Sequence, residues 1–567
     1  MNTEINGTIL MFLATILLAI PLGRYIGKVF THDRTWADGF FAPLDKFLFK
    51  VGGVDPHREM NWKQQLSALL TINLVWFLVS MFVLTNMSWL PFNPDKNPSM
   101  SGDLAFNTAI SFITNTNLQH YSGESGLSYL GQMTLTLWMF ISASAGIAIC
   151  GAVFLSMRNK SLGKMGNFYD LFVRSTSRIL LPLALVVAIV LVFQGTPMTY
   201  EGKDTMISMQ GDTVQVSRGP AAATVAIKQL GTNGGGFFGA NSAHPLENPS
   251  YLANVLECGS IFLIPVAMIF ALGYVLRRKR LSWMIFGVMT LGVLLLMLPT
   301  ISQEMKGNPA LARAGVTYQP MGSMEGKEVR LGPAASGFWA IVTTCTSNGS
   351  VNAMHDSLTP LSGMNALLGM MVNSFYGGVG VGFLNFYIFI ILAVFISGLM
   401  VGRTPEFLGK KIEAKEMKIA MIIALLHPLL ILTGTAISSY LYAHNPTAYS
   451  SWLNNPGYHG YSEMLYEFTS SSANNGSGFE GLGDNTPFWN IACGIVMILA
   501  RYLPIIGPVA IAGILSSKKF IPESAGTLKT DTVTFGVMVF AVILLVAALS
   551  FFPALTLGPI AEYLHIH

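Results

Sequence analysis

The sequence Thr232-Asn233-Gly234-Gly235-Gly236 (TNGGG, residues 232–236) is one of four short polar clusters that decide the fold of this chain. Each cluster follows an apolar stretch that is too short to cross a membrane as a helix. The four pairs of stretch and cluster are 103–113 with TNTN (114–117), 220–230 with TNGGG (232–236), 333–345 with TSNGS (346–350), and 461–471 with SANNG (472–476). Aligning Asn117, Gly234, Gly349 and Gly476 gives spacings of 117, 115 and 127 residues, which indicates an internal fourfold repeat.

The rest of the chain has the composition of a membrane protein. Of its 567 residues, 52% are hydrophobic and 11% are charged, whereas about 25% are charged in an ordinary soluble domain. Ten apolar segments are each long enough to cross a hydrocarbon core of ~30 Å as a helix. They lie at about 5–27, 66–88, 128–156, 176–195, 252–276, 281–301, 379–401, 419–441, 489–515 and 531–555. The sequence therefore predicts an all-α polytopic membrane protein with ten transmembrane helices.

The distribution of basic residues predicts the orientation of these helices. Of the 33 Lys and Arg residues, 24 fall in the loops after odd-numbered helices and 8 in the other loops. Because basic loops are retained in the cytoplasm during insertion, we expect both chain termini and the four polar clusters on the outer side.

The repeat predicts four units of helix, re-entrant pore loop and helix around a pseudo-fourfold axis. Non-helical backbone is tolerated at membrane depth only where it is buried in protein or lines water. One such cluster alone is more often a surface turn, but four at a near-constant period indicate a shared site. The predicted divisions are a first helix with its cytoplasmic loop (1–65), four pore repeats (66–156, 176–276, 281–402 and 417–515), and a final helix with an outer C-terminus (531–567).

A ring of such turns is suited to binding a monovalent cation. Glycine permits backbone conformations in which successive carbonyl oxygens turn inward and replace the hydration shell of an ion. The C-terminal ends of the four short helices would add partial negative charge. The first repeat lacks glycine, and there we expect side-chain oxygens of Thr116 and Asn117 to contribute. Neutral oxygens suit K⁺ better than a divalent ion, which would favour carboxylates.

Two further features predict how the inner side of the pathway is arranged. Residues 364–402 would form a helix of ~58 Å, about twice the membrane core, so the segment must bend or break, with Gly377, Gly378, Gly380 and Gly382 as the obvious place. The glycines could form a passive kink or an unwound loop that obstructs the pore. Arg501 lies deep in the ninth helix, where a cation needs a partner or water; it could pair structurally or block leakage of K⁺ to the cytoplasm.

Missing motifs limit the possible functions. The full sequence contains no GxxxxGK[ST] phosphate loop and no DKTG-type phosphorylation sequence, so we expect no nucleotide to bind this chain. Three classes remain: an ion-binding subunit of an ATPase complex, a stand-alone potassium channel or symporter, and a membrane oxidoreductase subunit. The last would need paired histidines within helices for haem, and only His427 lies clearly within a predicted span.

The motifs resemble those of the KdpA family, the potassium-binding subunits of bacterial Kdp potassium-transporting ATPases. The resemblance covers essentially the whole chain and rests on TNTNLQHYSGES (114–125), TNGGGFFGANSAHP (232–245), TSNGSVNAMHDS (346–357), VGRTPEFLGKKIE (401–413) and SSANNGSGFEGL (471–482). It implies a fold like four fused potassium-channel subunits in the bacterial inner membrane. It also implies a complex that takes up K⁺ from outside, formed with the P-type ATPase KdpB, the single-span protein KdpC and the small protein KdpF. The lipid bilayer surrounds such a protein, and no nucleic acid is expected as a partner.

The resemblance also assigns candidate residues to the K⁺ selectivity filter. They are Thr116, Asn117, Asn233, Gly234, Asn348, Gly349, Asn475 and Gly476. Gln119 matches a family position implicated in ion affinity, and the family supports an important arginine at Arg501. Arg403 is grouped with the pathway residues, although a basic residue at the cytoplasmic end of the seventh helix is explained by topology alone.

Overall fold

The computed structural model describes residues 3–158, 163–402, 404–522 and 529–566. Their α-helices are α1 (Thr3–Thr31), α2 (Asp38–Gly52), α3 (Trp62–Thr85), α4 (Gly102–Ile113), α5 (Gly123–Gly126), α6 (Tyr129–Arg158), α7 (Phe168–Arg174), α8 (Leu181–Gln194), α9 (Ala221–Leu230), α10 (Tyr251–Val275), α11 (Lys279–Lys306), α12 (Pro309–Arg313), α13 (Gly332–Cys345), α14 (Pro360–Val372), α15 (Val381–Val401), α16 (Ala414–His444), α17 (Tyr458–Ala473), α18 (Pro487–Ser517), α19 (Val533–Leu555) and α20 (Ala561–Ile566). Two antiparallel hairpins pair β1 (Asp204–Ile207) with β2 (Thr213–Val216) and β3 (Glu406–Phe407) with β4 (Lys410–Lys411).

The prediction of ten membrane-spanning segments is confirmed. In the described ranges, ten helices, three of them counted together with an adjoining short helix, are long and apolar enough to cross a membrane. They are α1, α3, α6, α7 with α8, α10, α11 with α12, α15, α16, α18, and α19 with α20. The chain is therefore an all-α polytopic membrane protein, as its composition predicts.

The fourth span begins earlier than its apolar core. We predict 176–195, whereas the helix run occupies Phe168–Gln194 and joins α7 to α8 through a π-helical turn. The added turns carry Asp170 and Arg174, whose side chains pair at 2.8 Å. The Arg178 guanidinium, at the start of the predicted span, lies 2.8 Å from Asp38 and 2.6 Å from Asp45 of α2. Hydropathy alone ends a span at such charges, but these ion pairs neutralise them and allow the helix to continue.

Four short helices precede the four polar clusters. They are α4, α9, α13 and α17, and they end at Ile113, Leu230, Cys345 and Ala473. Every residue of α13 is buried, so this helix lies inside the protein and is not part of a surface loop. The fourth short helix begins at Tyr458, three residues before the predicted start at 461.

The first spanning helix packs closely against α10 through two glycines one turn apart. A β-carbon at Gly23 would lie 2.5 Å from the Ala267 carbonyl oxygen and 2.5 Å from the Phe270 Cβ. A β-carbon at Gly27 would lie 2.6 Å from the Tyr274 ring. Small residues at this spacing allow helix backbones to approach in a membrane.

We expect Gly23→Val to lower the free energy of unfolding by about 1–3 kcal/mol, because the added methyl groups overpack the α1–α10 contact. Thermal unfolding of the purified protein in detergent measures the change. Gly287→Val is the matched control, since no described atom outside its own helix lies within 4 Å of a β-carbon there. Equal losses in both variants would show that the α1–α10 contact is not tightly packed.

Candidate ion-binding site

The four polar clusters meet in a ring. Three of their glycines lie so close to the carbonyl oxygen of a neighbouring cluster that no β-carbon could fit. The distances from the β-carbon position are 2.0 Å from Gly234 to the oxygen of Asn348, 2.2 Å from Gly349 to that of Asn475, and 2.2 Å from Gly476 to that of Thr116. These contacts join the second cluster to the third, the third to the fourth, and the fourth to the first.

Side-chain amides close the ring between the first and second clusters. Asn115 donates from Nδ2 to the carbonyl oxygens of Gly231 at 3.2 Å and Thr232 at 2.9 Å. In return, Asn233 donates from Nδ2 to the Asn115 Oδ1 at 2.7 Å. The sequence separates these residues by more than a hundred positions, and the fold brings them into direct contact.

The backbone conformation repeats in all four clusters. Asn117, Gly234, Gly349 and Gly476 have φ angles of +54°, +86°, +92° and +103°. The residues two positions earlier, Asn115, Thr232, Ser347 and Asn474, have φ angles of +61°, +46°, +49° and +52°. The left-handed region is uncommon for residues other than glycine, and asparagine is one of those that enter it. Asn117 therefore takes the place of glycine in the first cluster.

One backbone hydrogen bond also recurs in every cluster. Each bond runs from the residue before the aligned position to a carbonyl oxygen in the last turns of the short helix. The N–H groups of Thr116, Asn233, Asn348 and Asn475 donate to the oxygens of Ser111, Lys228, Thr343 and Ser470 at 2.9, 2.9, 3.0 and 2.9 Å. These donors face the helix, and the carbonyl groups of Thr116, Asn348 and Asn475 face the neighbouring cluster.

The predicted filter side chains differ in their hydrogen bonds. Asn348 and Asn475 donate to the carbonyl oxygens of Lys228 at 3.0 Å and Thr343 at 2.8 Å, so their amides anchor the ring. The Thr116 hydroxyl is bonded to Thr114 at 2.8 Å and Asn474 at 3.0 Å, and its backbone oxygen is the group that faces Gly476.

Asn117 differs from the other filter asparagines. Its Oδ1 and Nδ2 atoms are buried and have no hydrogen-bond partner among the described residues. Of the two side chains predicted to offer oxygens in the first repeat, Asn117 therefore keeps its amide available to an ion, whereas the Thr116 hydroxyl already has partners.

Gln119 lies two residues beyond the ring and bridges the first two clusters. It accepts from the Gly236 N–H at 2.8 Å and donates to the Gly236 carbonyl at 3.2 Å and to the Tyr121 hydroxyl at 3.1 Å. The side chain therefore holds the backbone of the second cluster in place.

The glycine-rich segment is an unwound loop and not a kinked helix. α14 ends at Val372 and α15 begins at Val381, with residues 373–380 between them. The Gly377 N–H donates to the carbonyl oxygen of Cys345 at 2.9 Å, and the Val379 N–H donates to the Thr232 hydroxyl at 3.0 Å. Gly378 and Gly380 lie in this loop, and Gly382 belongs to the first turn of α15. The loop thus contacts the helix-side ends of the second and third clusters.

Arg501 lies beside this loop. Its Nη2 atom is 3.5 Å from the β-carbon position of Gly146, and the Val379 carbonyl oxygen is 2.8 Å from the same position. The residue is 8% exposed and forms no hydrogen bond or ion pair with the part of the chain that the structure describes. Structural pairing with a carboxylate is therefore not seen within these ranges. Arg403 lies outside the described residues.

A buried ion pair supports the second cluster, which sequence reasoning missed. Lys228 of α9 contacts the carboxylate of Glu247 and donates to the Asn241 Oδ1 at 2.8 Å. Asn241 in turn donates from Nδ2 to the carbonyl oxygen of Gly234 at 2.7 Å. A lysine within the otherwise apolar stretch 220–230 could have indicated a buried ion pair. Its partner Glu247 lies 19 residues away, however, and no periodic pattern in the sequence identifies it.

A buried histidine ties the first cluster to the fourth. His120 contacts Glu467 of α17 at 3.1 Å and Asn490 of α18 at 2.7 Å. Burial alone would lower the pKa of His120, but the charge of Asp484 and the hydrogen bond and charge of Glu467 outweigh burial and raise this pKa to about 9.

The fold is similar to that of a solved membrane transporter. The structure of the potassium transporter TrkH from Vibrio parahaemolyticus matches with a TM-score of 0.51 at 15% identity, covering 89% of this chain and 98% of that one. The ten spans, four short buried helices and ring of turns thus define a polytopic membrane protein with the fold of a potassium transporter.

Sequence comparison identifies the family. The model of the KdpA family, described as the potassium-transporting ATPase A subunit, matches residues 9–564. Proteins called potassium-transporting ATPase potassium-binding subunit are 64% identical in Flavobacterium psychrophilum and 59% in Bacteroides thetaiotaomicron, over 99% and 100% of both chains. The relative from Geobacillus kaustophilus is 47% identical over 98% of both chains. The chain therefore belongs to the KdpA family, and the membership predicted from its motifs is confirmed.

We expect His120→Gln to destabilise the protein more at pH 7 than at pH 10. The pKa of His120 is 6.5 in the unfolded chain and about 9 in the folded protein. Protonated His120 therefore stabilises the folded state fully below pH 6.5, and this stabilisation is lost as the pH rises through about 9. The difference in unfolding free energy between the wild type and His120→Gln should be smaller at pH 10 than at pH 7 by roughly 2–3 kcal/mol. Thermal unfolding at several pH values measures it.

His355→Gln is the control for this experiment. Burial lowers the pKa of His355 to about 3, so that histidine is neutral throughout the range and its variant should show no such change. A pH-independent loss in His120→Gln would contradict the charged His120.

Proposed function

We propose that this chain is the potassium-binding subunit of an ATP-driven potassium uptake complex. It binds K⁺ from the outer side at the ring of the four clusters and delivers it to a P-type ATPase subunit. The observation that carries this proposal is the left-handed turn that recurs in the four clusters, together with the neutral carbonyl oxygens of Thr116, Asn348 and Asn475 that lie against the neighbouring clusters. The names of the family's relatives support the same ion and the same kind of complex.

The electrostatics of the ring favour K⁺ over a divalent ion. The ring contacts involve backbone carbonyls, and the short helices end immediately before each cluster, which adds partial negative charge. The nearby Lys228 and Glu247 neutralise each other. A site of neutral oxygens replaces the weak hydration shell of K⁺. Among the described residues, the ring contacts are made by backbone carbonyls, whereas Mg²⁺ or Ca²⁺ would favour carboxylates.

We further propose that the chain itself neither binds nor hydrolyses nucleotide, and that KdpB, KdpC and KdpF proteins assemble with it. The absence of phosphate-loop and phosphorylation motifs from the sequence supports this division of work. The complex is placed in the bacterial inner membrane, with the N- and C-termini on the extracytoplasmic side.

Co-purification tests the assignment to a complex. A tagged chain expressed with its genomic neighbours should bring down a P-type ATPase subunit, and ATP hydrolysis should depend on K⁺. Potassium flux through the chain alone, without a partner or nucleotide, would favour the stand-alone channel or symporter.

We expect Gly234→Ala to raise the K⁺ concentration for half-maximal ATPase stimulation of the complex at least tenfold, or about 1.4 kcal/mol. The added methyl group would meet the Asn348 carbonyl oxygen at 2.0 Å, and the residue has a φ angle of +86°. Gly211→Ala is the matched control, because Gly211 has a φ angle of +91° but no described neighbour within 4 Å. An unchanged K⁺ dependence in Gly234→Ala would exclude this turn from the ion site.

We expect Arg501→Ala to permit K⁺ movement without ATP, because it removes a buried positive charge beside the loop 373–380. Reconstituted vesicles with a potassium-sensitive dye measure this flux with and without nucleotide. Arg501→Lys retains the charge and is expected to stay coupled. If the wild-type complex already conducts K⁺ without ATP, or if Arg501→Ala stays tightly coupled, Arg501 does not form the block.

A further inference from the structure

A group of side chains of the types that ligate metals lies at the end of α17 that is remote from the ring. His459 and Glu463 are four residues apart on this helix and therefore share one face. Glu463 precedes the helix end by ten residues, or about 15 Å along the axis. The third member, Asp356, belongs to the segment after the third cluster, so the group joins two repeats.

The three side chains have the geometry of a metal site. The His459 Nε2 lies 3.0 Å from the Asp356 Oδ1. One ligand atom each from Asp356, His459 and Glu463 can be chosen so that all lie within 4.8 Å of one another. Tetrahedral ligands at about 2.0–2.2 Å from a single Zn²⁺ ion are about 3.3–3.6 Å apart, so small side-chain movements would bring all three groups to one ion.

The other nitrogen of the imidazole is held as in known metal sites. The His459 Nδ1 lies 2.9 Å from the Glu562 carboxylate of α20. A metal-binding histidine commonly donates its second N–H to a carboxylate, which fixes the ring and increases its basicity. Glu562 thus orients Nε2 toward Asp356.

One carboxylate oxygen of the group has no partner. Glu463 is fully buried, and its Oε1 accepts from the Asn455 Nδ2 at 3.0 Å. Its Oε2 has no hydrogen bond within the described ranges. Asn455 also contacts the Asp356 Oδ2 at 3.2 Å, which places the two carboxylates side by side. A buried anionic oxygen without a donor is costly, and a cation would satisfy it.

We propose that Asp356, His459 and Glu463 bind one divalent transition-metal ion of the Zn²⁺ type, with Glu562 as the positioning residue. One imidazole and two carboxylates match the ligands of Zn²⁺, whereas Ca²⁺ and Mg²⁺ prefer oxygen ligands alone. On binding, the metal replaces the proton on the His459 Nε2, which passes to solvent. The His459 side chain is 20% exposed, so solvent reaches the group. The site would fasten the third and fourth repeats to the C-terminal helix, and it does not depend on K⁺ binding at the ring.

Metal titration of the complete complex tests this site. The complex is treated with a chelator, desalted, and titrated with Zn²⁺ by calorimetry and with Co²⁺ by visible absorption. We expect one Zn²⁺ per chain and the absorption of low-symmetry Co²⁺ with a nitrogen ligand. Glu463→Gln and His459→Asn should abolish this binding, and Glu562→Gln should weaken it about 10–100-fold.

His32→Asn is the matched control, since His32 also pairs with a carboxylate, that of Asp170 at 2.6 Å. This variant should bind Zn²⁺ like the wild type. K⁺-stimulated ATPase activity, measured on every variant with Mg²⁺ and ATP but without added Zn²⁺, shows whether the complex is assembled. Wild-type Zn²⁺ binding that persists in Glu463→Gln and His459→Asn, or a wild type that binds none, would overturn the proposal and leave His459 as an ion-paired histidine.

Discussion

The backbone hydrogen bond from each polar cluster back to its short helix is the interaction on which the site depends. A helix end normally leaves carbonyl groups without donors, and here the first N–H groups of each turn are used to satisfy them. The carbonyl oxygens of Thr116, Asn348 and Asn475 in these turns lie against the neighbouring cluster. Turns of this kind placed in a ring bring neutral oxygen atoms together, and a cation can satisfy those that have no hydrogen-bond donor.

The surroundings of the ring preserve this neutrality and its spacing. Amide side chains such as Asn115 and Asn348 hold adjacent clusters at fixed distances. The charges of Lys228 and Glu247, which support the second cluster, compensate each other. Buried charges that lack partners are strongly unfavourable, and an uncompensated one would also change the ion that the ring prefers. The supporting shell is therefore as important for the proposed selectivity as the glycines.

Much of this arrangement could be predicted from the sequence, because spans, short helices and glycine turns are local patterns. The ten apolar segments and the aligned residues Asn117, Gly234, Gly349 and Gly476 are of this kind. Pairings between distant residues were not predictable, since no local pattern connects Lys228 to Glu247 within the second repeat or His459 to Asp356 across two repeats. His459 and Glu463 have the spacing of neighbours on one helix face. The short helix was predicted to begin at 461, however, which left His459 outside the helix. The choice between kink and loop at Gly377 also stayed open, because glycine is compatible with both.

The inner side of the ring departs from the fourfold pattern of the clusters. After the first, second and fourth clusters the chain continues as the long helices α6, α10 and α18. After the third cluster, within the described residues, the corresponding helix is divided into α14 and α15 by the loop at 373–380. That loop is bonded to the second and third clusters, and Arg501 lies beside it. An ion leaving the ring would therefore meet one obstructed side and a fixed positive charge, so a path off the axis is favoured. Such asymmetry on one side of a near-symmetric ring fits the transfer to a partner subunit that we propose, because a symmetric open vestibule would release the ion directly across the membrane.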